Sequence, residues 1–276
     1  MQYREDREHQ STDKYLYPTD YSMAGRTFVL AMDDGETYTV RFLTGEALMW
    51  ARQGEPFRWE KYACLESDEK TYFVVSYFAA REVRTCIALV LDTEQSLVTA
   101  CYSRLGTYPK RPRLVKTEFI FGAIQTDGQP LPVRRHCFTS DLNGRQITWR
   151  YSTGFLNTHL YIDSNYYRIR PIRQAVNRET EGNSGDPLFE EPGTYIKIKD
   201  GMYLISFLED NLNKYDPTRG GNNLIVLTNE KKMFDVGRTF CLNKDQQPEG
   251  GVFIAYGEAS DDEYIELAHV PSPYRV

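Results

Sequence analysis

"YFVVSYFA" at Tyr72–Ala79 is answered by "MYLISFLE" at Met202–Glu209. Both are runs of aromatic and β-branched residues, a composition that suits a pleated, buried strand. Set side by side at a separation of 130 residues, they match in kind until the last position, where Ala79 stands against Glu209. A chain that writes nearly one strand twice points to a duplicated domain. The unmatched carboxylate points to a different interior in the second copy.

Working outward, the first copy offers "RTFVLAM" (Arg26–Met32), "TYTVRFL" (Thr37–Leu43), "ALMWAR" (Ala47–Arg52), "EKYACLES" (Glu60–Ser67), "TCIALVLD" (Thr85–Asp92) and "SLVTACYS" (Ser96–Ser103) as further strands. The second offers "RQITWRYS" (Arg145–Ser152), "THLYID" (Thr158–Asp163), "YYRIRPI" (Tyr166–Ile172), "TYIKIK" (Thr194–Lys199), "NNLIVLT" (Asn222–Thr228) and "KMFDVGRTF" (Lys232–Phe240). Gly, Asn, Asp and Pro separate the runs, and the DDG of Asp33–Gly35 reads as a hairpin turn. Gly25, Arg26, Gly35 and Thr39 recur 119 positions later as Gly144, Arg145, Gly154 and Thr158. "ALVL" (Ala88–Leu91) matches "LIVL" (Leu224–Leu227) at 136. The growing separation places longer loops in the second copy, at Arg173–Gly193 and Asp210–Asn223, and the first of these has the length of a lid. Two copies of about seven short strands each predict an all-β chain of two tandem antiparallel β-barrels from an internal duplication, because closure removes exposed edges. The expected layout is a flexible N-terminal arm over 1–20, a first barrel over 21–125, a Pro- and Gly-containing linker over 126–133 and a second barrel with a ligand pocket over 134–276.

Composition narrows the function. The net charge of −6 gives no electrostatic reason to expect nucleic acid as a partner. No window reaches the roughly 18 apolar residues that a membrane helix needs, and the charged first residues do not resemble a secretory signal. Five scattered cysteines, with no CxxC pair, predict reduced, buried thiols in a cytoplasmic protein. His9, His136, His159 and His269 are dispersed, so no metal is expected. Neither GxGxxG nor GxxxxGK[ST] occurs, so no cofactor is expected either. The acidic run Gly257–Tyr264 reads as a solvated tail.

Strand alternation then sorts the second copy by face. Ile147, Trp149 and Tyr151 share one face, as do His159 and Tyr161, and Tyr203, Ile205, Phe207 and Glu209. Their counterparts in the first copy are apolar: Met32 for Tyr151, Val40 for His159, Phe42 for Tyr161 and Ala79 for Glu209. The first barrel should therefore pack shut while the second surrounds a partly polar pocket. A desolvated Glu209 suits general acid–base work, with His159 as its relay partner. Tyr151, Tyr161 and Tyr203 would hold ligand oxygens, Trp149 and Phe207 would stack on its ring, and Arg168, with Arg170, would pair with a carboxylate. Each of these residues also has a plainer reading, as core or surface. The joint pattern carries the argument.

The segment "HCFTSDLNGRQITWRYS" (His136–Ser152) resembles the MoaF family, labelled molybdenum cofactor biosynthesis protein F. The family's second domain opens with a His, Thr, Asp, Leu, Gly string before a W-x-Y-S strand, here His136, Thr139, Asp141, Leu142, Gly144, Trp149, Tyr151 and Ser152. The His-x-Tyr strand of His159 and Tyr161 and the strand from Tyr203 to Glu209 are similar to the family's as well. Before that Glu the family has Trp and then Arg, whereas this chain has Phe207 and Leu208. The resemblance implies two lipocalin-like, calycin-type barrels, similar in architecture to cofactor-free phenolic acid decarboxylases. Three functions fit these residues. One is cofactor-free cyclisation, isomerisation, dehydration or decarboxylation of a small aromatic or conjugated, hydrophobic metabolite. The others are a lipocalin-like carrier or sensor, and a scaffold with both barrels filled.

Overall fold

The computed structural model describes residues 20–76, 84–106, 115–152, 155–174, 189–209, 220–243, 245 and 247–259. The expected N-terminal arm lies almost wholly outside the described residues, as do Gly154, Ala79, His9, His269, most of the segment Arg173–Gly193 and residues 210–219.

Among the described residues there are strands and turns, and no helix. The first nine strands are β1 (Thr27–Met32), β2 (Thr37–Phe42), β3 (Ala47–Arg52), β4 (Arg58–Lys61), β5 (Ala63–Asp68), β6 (Thr71–Ser76), β7 (Thr85–Asp92), β8 (Leu97–Leu105) and β9 (Val115–Gln125). They form one antiparallel sheet in the order β4-β3-β2-β1-β9-β8-β7-β6-β5. Its two ends, β4 and β5, are separated in the chain by Tyr62 alone, so the sheet curls back upon itself. The other nine are β10 (Cys137–Phe138), β11 (Gln146–Ser152), β12 (Phe155–Tyr161), β13 (Tyr166–Gln174), β14 (Phe189–Lys199), β15 (Met202–Glu209), β16 (Gly220–Asn229), β17 (Phe234–Leu242) and β18 (Pro248–Ala259). Here β14 pairs with both β13 and β15, which closes an eight-stranded barrel, and β10 adds to the outside of β14. Where the first barrel splits one strand into β4 and β5, the second keeps it whole.

Each copy has more strands than the seven expected. The extra strand, β9 or β18, pairs with the first strand of its copy and completes the circle. The start of the supposed acidic tail, Gly257–Ala259, belongs to β18. The thiols also differ from expectation: Cys64, Cys86 and Cys101 are buried, but Cys137 is exposed and Cys241 half-buried.

Duplication is visible in individual hydrogen bonds. Gly25 N donates to Phe42 O, and Gly144 N to Tyr161 O, both at 2.7 Å. Arg26 N donates to Met23 O, and Arg145 N to Leu142 O, both at 3.0 Å. Gly25 and Gly144 have φ of 81° and 78°, a left-handed conformation that side chains disfavour, which is why the same glycine opens both copies. Phe28 pairs with Val40 and Ile147 with His159, so the separation of 119 holds through β1–β2 and β11–β12.

Farther along, the ladders correct the sequence alignment by one residue. Cys64 pairs with Val74 and Tyr195 with Ile205, while Tyr72 pairs with Leu91 and Tyr203 with Thr228. The separations are therefore 131 and 137, not 130 and 136. One residue matters, because a slip of one moves a strand's side chains to the opposite face. Tyr72 corresponds to Tyr203, and Glu209 to Phe78 rather than Ala79. Phe78 also lies outside the described residues.

Two apolar clusters fill the barrels, and a third joins them. Leu30, Phe42, Val74, Leu91 and Val98 lie in the first interior; Trp149, Tyr161, Tyr167, Ile205 and Phe207 lie in the second. The joining cluster contains Phe73, Val75, Ala88 and Val90 from one barrel and Ile196, Leu204, Ile225 and Val236 from the other. Strands β6 and β15 are thus buried on both faces, one in a barrel and one between barrels, and their near-continuous apolar sequences follow from that. At the junction Arg238 is fully buried, donating from Nη1 to Asn223 O (2.9 Å) and from Nη2 to Ser103 Oγ (2.5 Å). His136, first of the residues quoted above, docks on the first barrel with Nδ1 2.7 Å from Thr99 Oγ1 and Nε2 4.0 Å from Asp92 Oδ2.

Candidate functional site

Alternation along β11, β12 and β15 aims Trp149, Tyr151, His159, Tyr161, Tyr203, Phe207 and Glu209 into the second barrel, as their sequence pattern predicts. Trp149 and Tyr161 are fully buried. The space for the indole comes from Gly257, its partner across the β11–β18 ladder, where a Cβ would lie 2.6 Å from the ring. In the first barrel the same two places hold Leu30 and Ile124, so one large and one small residue replace two of middling size. Tyr151 packs edge-on against Phe253, with centroids 5.5 Å apart.

Glu209 is the last residue of β15, half-buried, and its Oε2 accepts from Asn222 Nδ2 at 2.6 Å. Desolvation pushes its carboxyl up to about 7, against the smaller opposing effect of the Asn222 bond. Behind it is an aromatic cage. Phe207 lies 4.2 Å from Tyr167 and 5.2 Å from His159, centroid to centroid, and His159 lies 5.5 Å from Tyr167. Burial in this cage pushes the His159 imidazole down to about 3. At neutral pH His159 is therefore uncharged, with one ring nitrogen able to donate and the other to accept.

Two residues stand apart from the rest. Tyr203 faces the interior six residues from Glu209, about 20 Å along the strand, near the Arg145–Glu230 ion pair at the opposite end. Arg168 falls between the inward Tyr167 and Ile169 and points outward, where its Nε donates to Glu190 Oε1 at 3.0 Å. It does not reach an interior carboxylate. The side chain of Arg170 lies outside the described residues.

Several interior groups escaped the sequence reading. Tyr167 and Tyr195 replace Leu48 and Cys64 of the first barrel. Glu191 (1% exposed) is the counterpart of Glu60 (3% exposed): each is the ladder partner of a residue, Tyr167 or Leu48, that is itself 119 positions from the other. The first barrel is accordingly not uniformly apolar. Asp235, on β17 across from Thr228 and Ala255, also faces the second interior. It is 1% exposed, and burial raises its carboxyl well above the usual range. With the separation corrected to 137 it replaces Val98. The register read at 136 hid that exchange.

The second interior is short of hydrogen bonds. Trp149 Nε1, Asn157 Oδ1, His159 Nδ1, Tyr161 Oη, Thr228 Oγ1 and Asp235 Oδ1 are buried with no partner at bonding geometry. Trp149 leans toward Tyr161, and Thr228 toward Asp235, closely enough for each to favour its neighbour's anion slightly. Among the described residues these six, and Asn222 Oδ1 beside Glu209, are the arrangement that a polar molecule bound inside would complete. Among the described residues no group of three His, Cys, Asp or Glu could hold a metal ion, and no helix is long and apolar enough to cross a membrane.

Comparison with known proteins adds a family. The MoaF N-terminal domain matches residues 10–107 and the MoaF C-terminal domain residues 136–260. No curated protein matches the chain. Among solved structures, one described as a "putative beta-lactamase from Burkholderia vietnamiensis" aligns at 12% identity and a TM-score of 0.30, over 44% of this chain and 96% of that one. A likeness so slight carries no argument about fold or function.

Proposed function

The chain belongs to the MoaF family, and from that premise we propose that its second barrel binds a small aromatic or conjugated metabolite and moves a proton on it through Glu209. The observation that carries this reading is the Glu209 carboxyl, desolvated to a value of about 7 beside the aromatic cluster of Phe207 and Tyr167. A group that titrates near the working pH can both take and return a proton, which cyclisation, isomerisation, dehydration and decarboxylation all require. Phe207 and Tyr167 supply faces for the ligand ring, and Tyr151, within electrostatic reach of Glu209, supplies a hydroxyl. His159 acts as a neutral donor or acceptor. The chemistry needs no group beyond the chain's own side chains, and five scattered cysteines with no CxxC pair suit a reducing compartment such as the cytoplasm.

The test is incubation with a panel of aromatic acids, aromatic amines and phenolics, followed by mass and chromatographic analysis. Wild-type protein should convert at least one member. Glu209→Gln should bind it but lower turnover by about 100-fold or more, the scale of a lost general base. Near wild-type turnover in Glu209→Gln sinks the assignment. The six partnerless polar atoms favour one alternative, a carrier that holds the same ligand and releases it unchanged; binding with intact recovery would select it.

A further inference from the structure

The polar groups at the deep end of the second barrel are linked to one another. Thr228 leans on Asp235, Asp235 lies within electrostatic reach of Tyr161, and Tyr161 lies beside the Trp149 indole. Thr228 Oγ1, Asp235 Oδ1, Tyr161 Oη and Trp149 Nε1 are all buried, and none has a hydrogen bond of full geometry: Thr228 and Asp235, and Trp149 and Tyr161, meet only at its edge. The first barrel is an internal control for what the fold itself needs here. Its residues at the same four places are Leu91, Val98, Phe42 and Leu30, all members of its apolar cluster. The barrel folds with hydrocarbon at these positions, so the polar quartet is not demanded by closure or packing. Leaving polar atoms unpaired is costly, and an arrangement that bears the cost at four adjoining places is built for an occupant.

We propose that this quartet is a recognition site for the uncharged oxygen of an elongated aromatic ligand, a carbonyl or phenolic hydroxyl, whose other end reaches Glu209. The inference rests on the reading that the second barrel is the ligand site, and it adds the head group and the shape. The chemistry of the quartet selects the head. Trp149 Nε1 can only donate, so the ligand atom beside it is an acceptor, which an ammonium is not. The four side chains are at most 1% exposed and include no cation, so an anionic head would lose its hydration without a counter-charge. Tyr161 and Thr228 each add an O–H donor, and burial of Asp235 favours the protonated form of its carboxyl, which adds another. The shape follows from the ladders: Asp235 lies across from Thr228, which lies across from Tyr203, six residues from Glu209 and roughly 20 Å along the strand. A molecule serving both ends is longer than a single ring.

Three naphthalenes that share one ring system and differ in the head test the proposal by calorimetric titration: 2-acetylnaphthalene, 2-naphthoate and 2-(aminomethyl)naphthalene. The ketone should bind wild-type protein at least about 10-fold tighter than the anion or the ammonium. Asp235→Val, which installs the first barrel's residue, should weaken the ketone about 10-fold and leave unsubstituted naphthalene unchanged. Glu209→Gln should leave the ketone within about 2-fold, which separates this site from the chemistry at Glu209. The carbonyl stretch of the bound ketone should fall below its free value and return toward it in Tyr161→Phe, which removes a hydroxyl donor and installs the first barrel's residue, a readout that survives if Asp235→Val does not fold. A preference for the anion or the ammonium, or equal ketone affinity in Asp235→Val as an interior holding only water there would give, overturns the proposal while leaving the barrel as a ligand site. Failure of every probe to bind wild-type protein overturns both.

Discussion

At the scale of single residues, two buried titratable groups give the second barrel opposite responses to pH. Glu209 is raised from an ordinary 4.5 to about 7, so the folded state holds its proton more tightly than the unfolded chain does. Its contribution to stability is complete below pH 4.5 and is lost as pH rises to about 7. Glu209→Gln should remove that loss and stabilise the protein at pH 8 by about 1–3 kcal/mol, measured by denaturant titration across pH. An unchanged pH profile would show that the carboxyl is not desolvated. His159 is lowered from 6.5 to about 3, so its contribution is complete above pH 6.5 and is lost as pH falls toward 3. His159→Phe should keep more of its stability at pH 4.5 than wild-type protein does, and acid titration followed by circular dichroism would show it. Both groups were legible in the sequence because each stands against an apolar residue in the first copy. The protonation state of His159 was not, since it depends on Phe207 and Tyr167, which only the closed barrel brings beside it.

At the scale of elements, the second barrel depends on paired exchanges between neighbouring strands. Trp149 on β11 needs Gly257 on β18, because a Cβ there would stand 2.6 Å from the indole Cζ3 and 3.0 Å from its Cε3 and Cη2. Gly257→Ala should cost about 1–3 kcal/mol, as overpacking does, and Trp149→Leu in the same chain should recover part of it. Additive losses in the double variant would contradict the exchange. Most strands were legible because turn residues bracket aromatic and β-branched runs. The closing strand β18 was not: it starts Pro248-Glu249-Gly250-Gly251 and ends in Gly257-Glu258-Ala259, the composition of a loop, and is held by ladders to β17 and β11 that no local pattern records. The alignment slipped by one for a related reason. With both faces of β6 and β15 buried, alternation no longer marks which face is which.

At the scale of the whole molecule, the two barrels share a largely apolar interface crossed by the buried Arg238 guanidinium. Arg238 reaches Ser103 of the first barrel and the Asn223 carbonyl of the second, and Asn223 Nδ2 in turn donates to Phe207 O at 3.0 Å, two residues from Glu209. Arg238→Ala should destabilise the protein by about 2–4 kcal/mol while keeping a single unfolding transition. Two separated transitions would mean that the barrels fold independently. The division of labour between them is the central claim, and one titration tests it most directly. Trp50 borders the first interior and Trp149 lies in the second, so Trp50→Phe with Trp59→Phe leaves Trp149 as the sole indole, while Trp149→Phe leaves the other two. Titrated with 2-acetylnaphthalene, the Trp149-only protein should show saturable quenching and the Trp149→Phe protein should not. Quenching confined to the Trp149→Phe protein, or absent from both, would contradict the account.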